Sequence, residues 1–596
     1  MTFNLFVLPF LLGLIFLVAS VSRRFSRWIA GLEEEDRSRF RKGLRSRNLL
    51  LALREIFFES LLHRRMFRRN RLLGYMHMSF AFGWLLLILM GNMESRIYSG
   101  LYVNPPYYPI FLKFFIHDKR VLPFEIFTVP GFFRFSMDLI LLFILSGLVL
   151  AIIKRSRSRW FGMKKTTKHQ LTDRVALTCL WLIFPARLLA ESFTAGAYGY
   201  GGGFISQHLG NLLAYLWPFS DKDIAYAFWW LYSLVLGIFF VTLPYSRYMH
   251  IPTELLLIFF RNFGIGPKKE ASSFSEVEVF SCPRCGVCID VCQLNTAAGI
   301  QDIQSVYFIE TIRNQSVRAD KALQCLVCGR CQEICPVGIN TDSLRVIQRK
   351  KFKKQQFSDF SYLPDNPVPR AEVIYFAGCM THLMPAIHRS VEGIFRAAAV
   401  PYVFLDRDGS VCCGRPLQLA GKEDQARQLM DANRDRIRRT GANLMVTSCP
   451  ICYRIFREEY RLEIPVLHHS QYLLELVKKG KIPLQTCFRK VAYHDPCELG
   501  RGSKLYGSPR ELLRKVADLV EVQEDDKDSL CCGGSLGVLN IDQAARDKIT
   551  RQAVENLMEN NPEMLVTSCP LCKKTFSKIA PVEVRDIAEL VYDALP

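Results

Sequence analysis

The spacing of its cysteines constrains this chain more than any other feature. One stretch, S-C-P-R-C-G-V-C-I-D-V-C, sets Cys282, Cys285, Cys288 and Cys292. A second, Q-C-L-V-C-G-R-C-Q-E-I-C-P, sets Cys325, Cys328, Cys331 and Cys335 ahead of Pro336. Both read C-x2-C-x2-C-x3-C. Three thiolates two residues apart can wrap one corner of a metal centre, and a fourth must arrive from elsewhere. Zinc wants four ligands, not eight in interlocked runs of three plus one. A disulfide framework needs an oxidising compartment, whereas this segment is expected to face a reducing one. Of 20 cysteines, Cys179 alone precedes residue 282, so cysteine here is cofactor chemistry rather than extracellular cross-linking.

The doubled run resembles the two-cluster ferredoxins, in which the fourth Cys of each run ligates the other cluster. The resemblance implies one [4Fe–4S] cubane on Cys282, Cys285, Cys288 and Cys335. It implies a second on Cys325, Cys328, Cys331 and Cys292, in a small α+β or α-helical domain spanning 275–355. A helix is expected between the runs, over Thr311–Leu323.

The 596 residues suggest about four domains. Half are apolar, and they are unevenly placed. Five stretches of about 20 residues are long enough to span a bilayer. They lie near Phe3–Val21, Leu72–Gly91, Phe132–Ile153, Val175–Phe193 and Ala225–Leu243. The first lacks the basic flank and cleavage site of a signal peptide and reads as an anchor. The net charge of +21 could suggest nucleic acid, but the Lys and Arg cluster beside apolar helices and serve membrane orientation better. Loops Arg23–Arg71 and Lys154–Arg174 are strongly basic, while Gly196–Asp223 holds a single Lys, Lys222. The positive-inside rule then puts the N-terminus outside the cell membrane and everything after His250 in the cytoplasm. Thr253–Phe263 is too short to span and is expected along the membrane surface.

His77 enters the second span and His250 closes the fifth, at similar depth. Two facing imidazoles suit bis-His ligation of a b-type haem, and the competing reading is a hydrogen-bonded interfacial pair. Five spans with these histidines look like the gamma (cytochrome b) subunit of respiratory nitrate reductase. That resemblance implies haem ligation over 1–262. The family's second haem would need ligands where this chain has Leu87 and Tyr232, so one haem is expected. His63 and His208 read as solvated or interfacial. Arg187 and Glu191, one turn apart in span four, are either a mutual ion pair or part of a quinone or proton site.

After a Pro-rich linker at Pro364–Pro369, the chain repeats itself. V-I-Y-F-A-G-C-M (Cys379), S-V-C-C-G (Cys412, Cys413) and V-T-S-C-P-I-C (Cys449, Cys452) are followed by V-A-Y-H-D-P-C-E (Cys497), S-L-C-C-G-G (Cys531, Cys532) and V-T-S-C-P-L-C (Cys569, Cys572). The intervals nearly match, with 32 and 33 residues before each Cys-Cys-Gly and 34 and 35 after it. β-runs lead into most of these cysteines and helical stretches lie between, which predicts two α/β lobes, 371–480 and 489–596, with ligands at strand ends. Gly414 and Gly533 are expected at tight turns. Five thiolates per lobe resemble the CCG (cysteine-rich) domain of heterodisulfide reductase. The resemblance implies one noncubane [4Fe–4S] cluster per complete set, so one or two here, a structural or zinc role for one copy remaining the alternative. His494 is expected to orient its loop without ligating, and Cys487 fits no motif.

The expected architecture is therefore a five-helix membrane bundle, a two-cluster ferredoxin domain and tandem CCG lobes. That order resembles the membrane-bound EtfAB:quinone oxidoreductases and membrane heterodisulfide reductases. It implies electron transfer from an electron-transferring flavoprotein to a membrane quinone, such as menaquinone. The alternatives are a disulfide reductase and a redox subunit of a sulfur-metabolism complex.

Overall fold

The computed structural model describes residues 3–99, 105–115, 129–157, 160, 167–199, 201–216, 221–352, 360, 368–486 and 489–596. Most of the expected linker at Pro364–Pro369, and Cys487, lie outside these residues. The chain forms two compact units, Met1–Gly286 and Val287–Pro596. The division falls inside the first Cys run, so Cys282 and Cys285 belong with the apolar helices.

In the first unit, five helices are long and apolar enough to cross a membrane: Leu5–Ala30, Arg71–Ile97, Gly131–Ser156, Leu171–Tyr198 and Lys222–Tyr245. Leu12, Ile15, Val18, Leu89, Leu139 and Val149 are exposed on them, the apolar surface that lipid would cover. The first and fifth pack backbone to backbone where Gly13 meets Gly237: a Cβ on Gly13 would lie 2.7 Å from the Gly237 Cα. The first helix runs to Ala30, beyond the expected Val21, because its arginines and tryptophan have partners. Arg24 Nη1 donates to the Pro244 carbonyl at 2.8 Å. Its guanidinium also lies over the rings of Tyr245 and Phe280, at 5.6 and 5.2 Å. Trp28 Nε1 donates to Glu276 at 2.7 Å, which docks the helix Ser273–Phe280 just ahead of Cys282. The segment Thr253–Phe263, expected along the membrane surface, falls largely in the helix His250–Asn262.

In the second unit the expected helix Thr311–Leu323 is instead two, Ser305–Arg313 and Ala319–Leu323. Gln315, at φ 53°, breaks the path between them. The repeat folds as two parallel four-stranded sheets. β1 (Val373–Phe376), β2 (Tyr402–Phe404), β3 (Leu444–Thr447) and β4 (Val466–His468) are ordered β2-β1-β3-β4. β5 (Lys490–His494), β6 (Asp518–Val520), β7 (Met564–Thr567) and β8 (Glu583–Asp586) repeat that order as β6-β5-β7-β8. The inner strands β1, β3 and β7 are near-continuous apolar runs because both faces are covered. Alternate residues serve different cores: Val373 and Tyr375 join Val491, Tyr493 and Val566 in one core shared by the lobes. Ile374 and Phe376 turn to a core belonging to the first lobe, and Ala492 and Leu565 to one belonging to the second.

A buried polar contact crosses the shared core. His469 Nε2 lies 3.0 Å from Asp586 Oδ1, and neither side chain is exposed. Asp586 also caps the last helix, accepting from the Ala588 amide at 2.9 Å. Asp586→Ala removes the cap and strands the imidazole. It should lower the stability of this unit by about 3 kcal/mol, read as an earlier urea midpoint, and Asp586→Asn should cost less.

Candidate metal centres

The cysteines of each lobe meet because strand ends and helix starts converge. In the first lobe, β1 delivers Ala377 and Gly378, whose amides donate to the buried Asp406 carboxylate at 2.8 and 2.7 Å. Cys379 follows at once. Cys449 ends the segment after β3 and precedes the helix Pro450–Glu458, which carries Cys452. The thiols form a row: Cys379 touches Cys412, Cys412 touches Cys413, Cys413 touches Cys452 and Cys452 touches Cys449. Gly378, at φ 88°, closes over this row. A Cβ there would lie 2.9 Å from Cys452 Sγ and 3.0 Å from Cys449 Cβ. Tyr460 Oη donates to the Cys413 carbonyl at 3.0 Å and Asn433 Nδ2 to that of Cys412 at 2.8 Å, fixing the double cysteine.

The second lobe repeats the row. Cys497 touches Cys531, Cys531 touches Cys532, and Cys572 joins Cys532, Sγ to Sγ at 3.4 Å, and Cys569. Gly414 and Gly533 both take positive φ after their cysteine pairs, at 86° and 83°, as expected of tight turns. His494 contacts backbone and hydroxyl rather than sulfur: Nε2 donates to the Leu530 carbonyl at 3.0 Å, and Nδ1 lies 3.4 Å from Thr567 Oγ1. Among the described residues, no three Cys, His, Asp or Glu side chains gather as ligands of a single metal ion. A row of five thiols under a bare glycine suits a larger, polynuclear group.

The ferredoxin-like run joins the second lobe. Cys292, four residues before the helix end at Thr296, has Cys325 and Cys328 as electrostatic neighbours, as does Cys331. Burial pushes the Cys292 thiol up to about 12 and that of Cys331 well above the usual thiol range. Such dry thiols ionise once a cationic metal core replaces their protons, so the donor set fits iron–sulfur chemistry. Cys328 also touches Cys531 of the second lobe. Gln293 seals that junction, accepting from the Cys531 amide at 2.7 Å and donating to its carbonyl at 3.2 Å.

Two buried arginines grip the run. Arg349 donates to the carbonyls of Ala322, Leu323, Cys325 and Leu419, at 2.8–3.3 Å. Arg501 donates through Nε to the Cys328 carbonyl at 2.7 Å and through Nη1 to those of Ser529 and Lys527 at 2.7 and 3.2 Å. Its Nη2 is buried without a partner among the described residues. Burial lowers the basicity of its guanidinium, and the neighbouring sulfurs of Cys328, Cys497 and Cys531 more than offset that cost. Neither arginine was singled out by sequence: nothing in a lone Arg tells that it is buried. Cys282 and Cys285 lie in the first unit, Cys288 and Cys335, both half-buried, in the second.

In the apolar helices, His77 Nε2 is buried without a hydrogen-bond partner among the described residues. The Nδ1–H of His250 donates to the Arg247 carbonyl at 2.7 Å, a bond that would orient the imidazole and leave Nε2 for a metal. These features fit a haem axial pair. His63, expected to be solvated or interfacial, is half-buried and packs its ring 5.3 Å from that of His77 at 20° between planes. It is held there in a left-handed turn at φ 52°, and burial lowers its basicity. His208 is exposed, as expected, bonding the Phe204 carbonyl at 2.7 Å. Leu87 and Tyr232 are buried in apolar core. Arg187 and Glu191 pair at 2.9 Å, and the Tyr232 hydroxyl hydrogen-bonds Arg187. Cys179 packs as a buried residue.

A family model described as "Cysteine-rich domain" (CCG) matches residues 373–457 and 491–577, and a "4Fe-4S dicluster domain" model matches 278–339. The chain is 26% identical over 395 residues to one component of the dihydromethanophenazine:CoB–CoM heterodisulfide reductase of Methanosarcina acetivorans, covering 55% of this chain and 96% of that one. It is 22% identical over 483 residues to "EtfAB:quinone oxidoreductase" of Syntrophomonas wolfei, covering 62% and 68%. It is 28% identical over 331 residues to a "Probable membrane-anchored ferredoxin" of Chromohalobacter salexigens, covering 47% and 49%.

Gly378→Ala should force the first lobe's thiol row apart. The variant should lose iron from that lobe while remaining folded, read as a fall in iron and sulfide per chain with unchanged far-ultraviolet circular dichroism. The equivalent loss should not appear on replacing the exposed Gly441, whose Cβ would meet nothing within 4 Å, with Asn, which tolerates its left-handed backbone.

Proposed function

We propose that this iron–sulfur oxidoreductase, which joins a 4Fe-4S dicluster domain and paired cysteine-rich domains to five apolar helices in one chain, carries electrons from an electron-transferring flavoprotein to a membrane quinone. The cubane ligands are Cys282, Cys285, Cys288 and Cys335 for one cluster, and Cys325, Cys328, Cys331 and Cys292 for the other. Each CCG lobe holds a noncubane cluster on its five cysteines, and His77 and His250 hold one haem b. When bound, these groups supply the one-electron steps. The protein sets their placement, burial and hydrogen bonding.

The observation that carries this reading is the continuity of the thiol rows. Cys449 of the first lobe is an electrostatic neighbour of Cys569 in the second. Cys531 of the second touches Cys328 of the ferredoxin-like run. The two lobes and the run thus form one continuous series of thiols within the second unit, the route this reading assigns to electrons bound for the haem. The basic loops favour a cytoplasmic iron–sulfur region and an external N-terminus. The name of the Syntrophomonas wolfei relative supports the flavoprotein donor and quinone acceptor. In the outer half of the bundle, Arg187, Glu191 and Tyr232 fill the position of a second haem, which leaves them as candidates for the quinone site.

A second reading is favoured by one observation. A pocket between the lobes is lined by Cys497, Cys532, Cys569 and Cys572 of the second and by Leu419 and Ile451 of the first. In this reading the thiol-held centre beside the pocket would meet a disulfide substrate, as the name of the Methanosarcina relative suggests. Turnover of a heterodisulfide without any flavoprotein would favour this reading over the first.

An optical and EPR redox titration of the full-length protein tests the assignment. One b-type haem, two cubane signals and one or two further S = 1/2 signals are expected. His77→Ala and His250→Ala should each abolish haem absorbance while the iron–sulfur signals persist, and His63→Ala should retain the haem. Retention of haem in His250→Ala with loss in His63→Ala would reassign the axial pair.

A further inference from the structure

Asp173, near the start of the helix Leu171–Tyr198, was not picked out by any sequence motif. Its carboxylate is buried and joins three separate elements of the first unit. The first is its own helix start, where Oδ2 accepts from the Gln170 amide at 3.4 Å. The second is the segment leading to His250: Oδ1 accepts from the Arg247 amide at 2.7 Å. The Arg247 carbonyl is the same group that receives the His250 Nδ1–H at 2.7 Å. The third is the first Cys loop. Arg284, between Cys282 and Cys285, donates through Nη1 to Asp173 Oδ2 at 2.6 Å.

Other bonds close the same knot. Arg284 Nη2 donates to the Lys168 carbonyl at 3.1 Å, and Thr167 Oγ1 donates to the Arg284 carbonyl at 2.9 Å. Arg247 Nη2 reaches Thr167 Oγ1 at 3.3 Å. Arg284 holds φ 54°, a left-handed conformation that a non-glycine keeps where its surroundings over-determine it. Arg247 and Lys154 are electrostatic neighbours of Cys285. A surface ion pair would be worth little. A buried carboxylate that satisfies one guanidinium and two amides fixes geometry instead.

We propose that Asp173 is a positioning residue that locks the Cys282–Cys285 loop to the His250 segment, so that the cluster on this loop is the one adjacent to the haem. The bonded route is short: from the loop through the Arg284 guanidinium to the carboxylate, then along the Arg247 backbone, from its N–H across Cα to its carbonyl, to the imidazole. The inference rests on the haem and cubane assignments above for its redox consequence, but the lock itself is a property of the polypeptide.

The test uses the full-length protein and the variants Asp173→Ala, Asp173→Asn and Arg284→Gln. Hydrogen exchange reads the lock without reference to any cofactor: the Arg247 amide and residues 281–286 should lose protection in Asp173→Ala. With haem and iron content at the wild-type level, reduction of the haem by a pre-reduced iron–sulfur chain should slow by about tenfold or more, the range for losing a partner that orients a metal ligand. The fast spin relaxation that a neighbouring ferric haem imposes on one cubane signal should weaken in parallel. Arg284→Gln should reproduce both effects from the other end, and Asp173→Asn, which still accepts from the Arg247 amide, should show them in milder form. Unchanged exchange in Asp173→Ala, or changed exchange with haem reduction and relaxation as in wild type, overturns the proposal. Absence of haem from the wild-type protein overturns the electron-transfer assignment instead, and the exchange result then decides the lock by itself. Should Asp173→Ala fail to fold, the two milder variants carry the same readings.

Discussion

Sulfur buried away from water governs the second unit. A thiolate in a dry interior is costly, and the protein brings many together. The fold offsets that cost with positive charge and with donors aimed from fixed backbone. Strand ends supply the first cysteine of each lobe, and a helix start supplies the last pair. Arg349 and Arg501 bring buried guanidinium groups to the carbonyls of Cys325 and Cys328. Glu498, beside Cys497, is itself held by Arg454 at 2.9 Å and Arg415 at 3.5 Å. These side chains make a place where a charged inorganic core costs less than an empty nest of thiols would.

Much of this was legible in the sequence because cysteine spacing and strand periodicity are local signals. The repeat announced two α/β lobes, and helices such as Glu423–Arg439 lie between the cysteine segments as the helical stretches there implied. The five apolar stretches needed no tertiary information either. What escaped was set by contacts distant in sequence. His63 read as one more polar residue in an arginine-rich loop until a left-handed turn laid it against His77. Asp173 is 74 residues from Arg247 and 111 from Arg284, so no window along the chain could join them. The single helix expected over Thr311–Leu323 failed for a different reason. Its periodicity was adequate, but the turn at Gln315 redirects the backbone.

The two lobes share a topology without sharing surroundings. Each sheet places a thiol row at the ends of its strands, and the second lobe's Cys531 meets the ferredoxin-like run through Cys328 and Gln293. A duplication has been specialised by its neighbours rather than by its own ligands: the five cysteines are kept in both copies, while the residues that reach outward differ. Arg501 has that outward role in the second lobe, where the segment after Cys497 carries it to the Cys328 carbonyl.

The core common to both sheets carries a further implication. Tyr375, Phe395 and Leu473 of one lobe are covered by Tyr493, Leu512 and Val591 of the other, so neither half possesses a complete interior of its own. During synthesis the earlier lobe must wait, its apolar wall bare, until the later one has emerged to close it. The two lobes are thereby tied into one folding unit, in which loss of either half uncovers the apolar wall of the other.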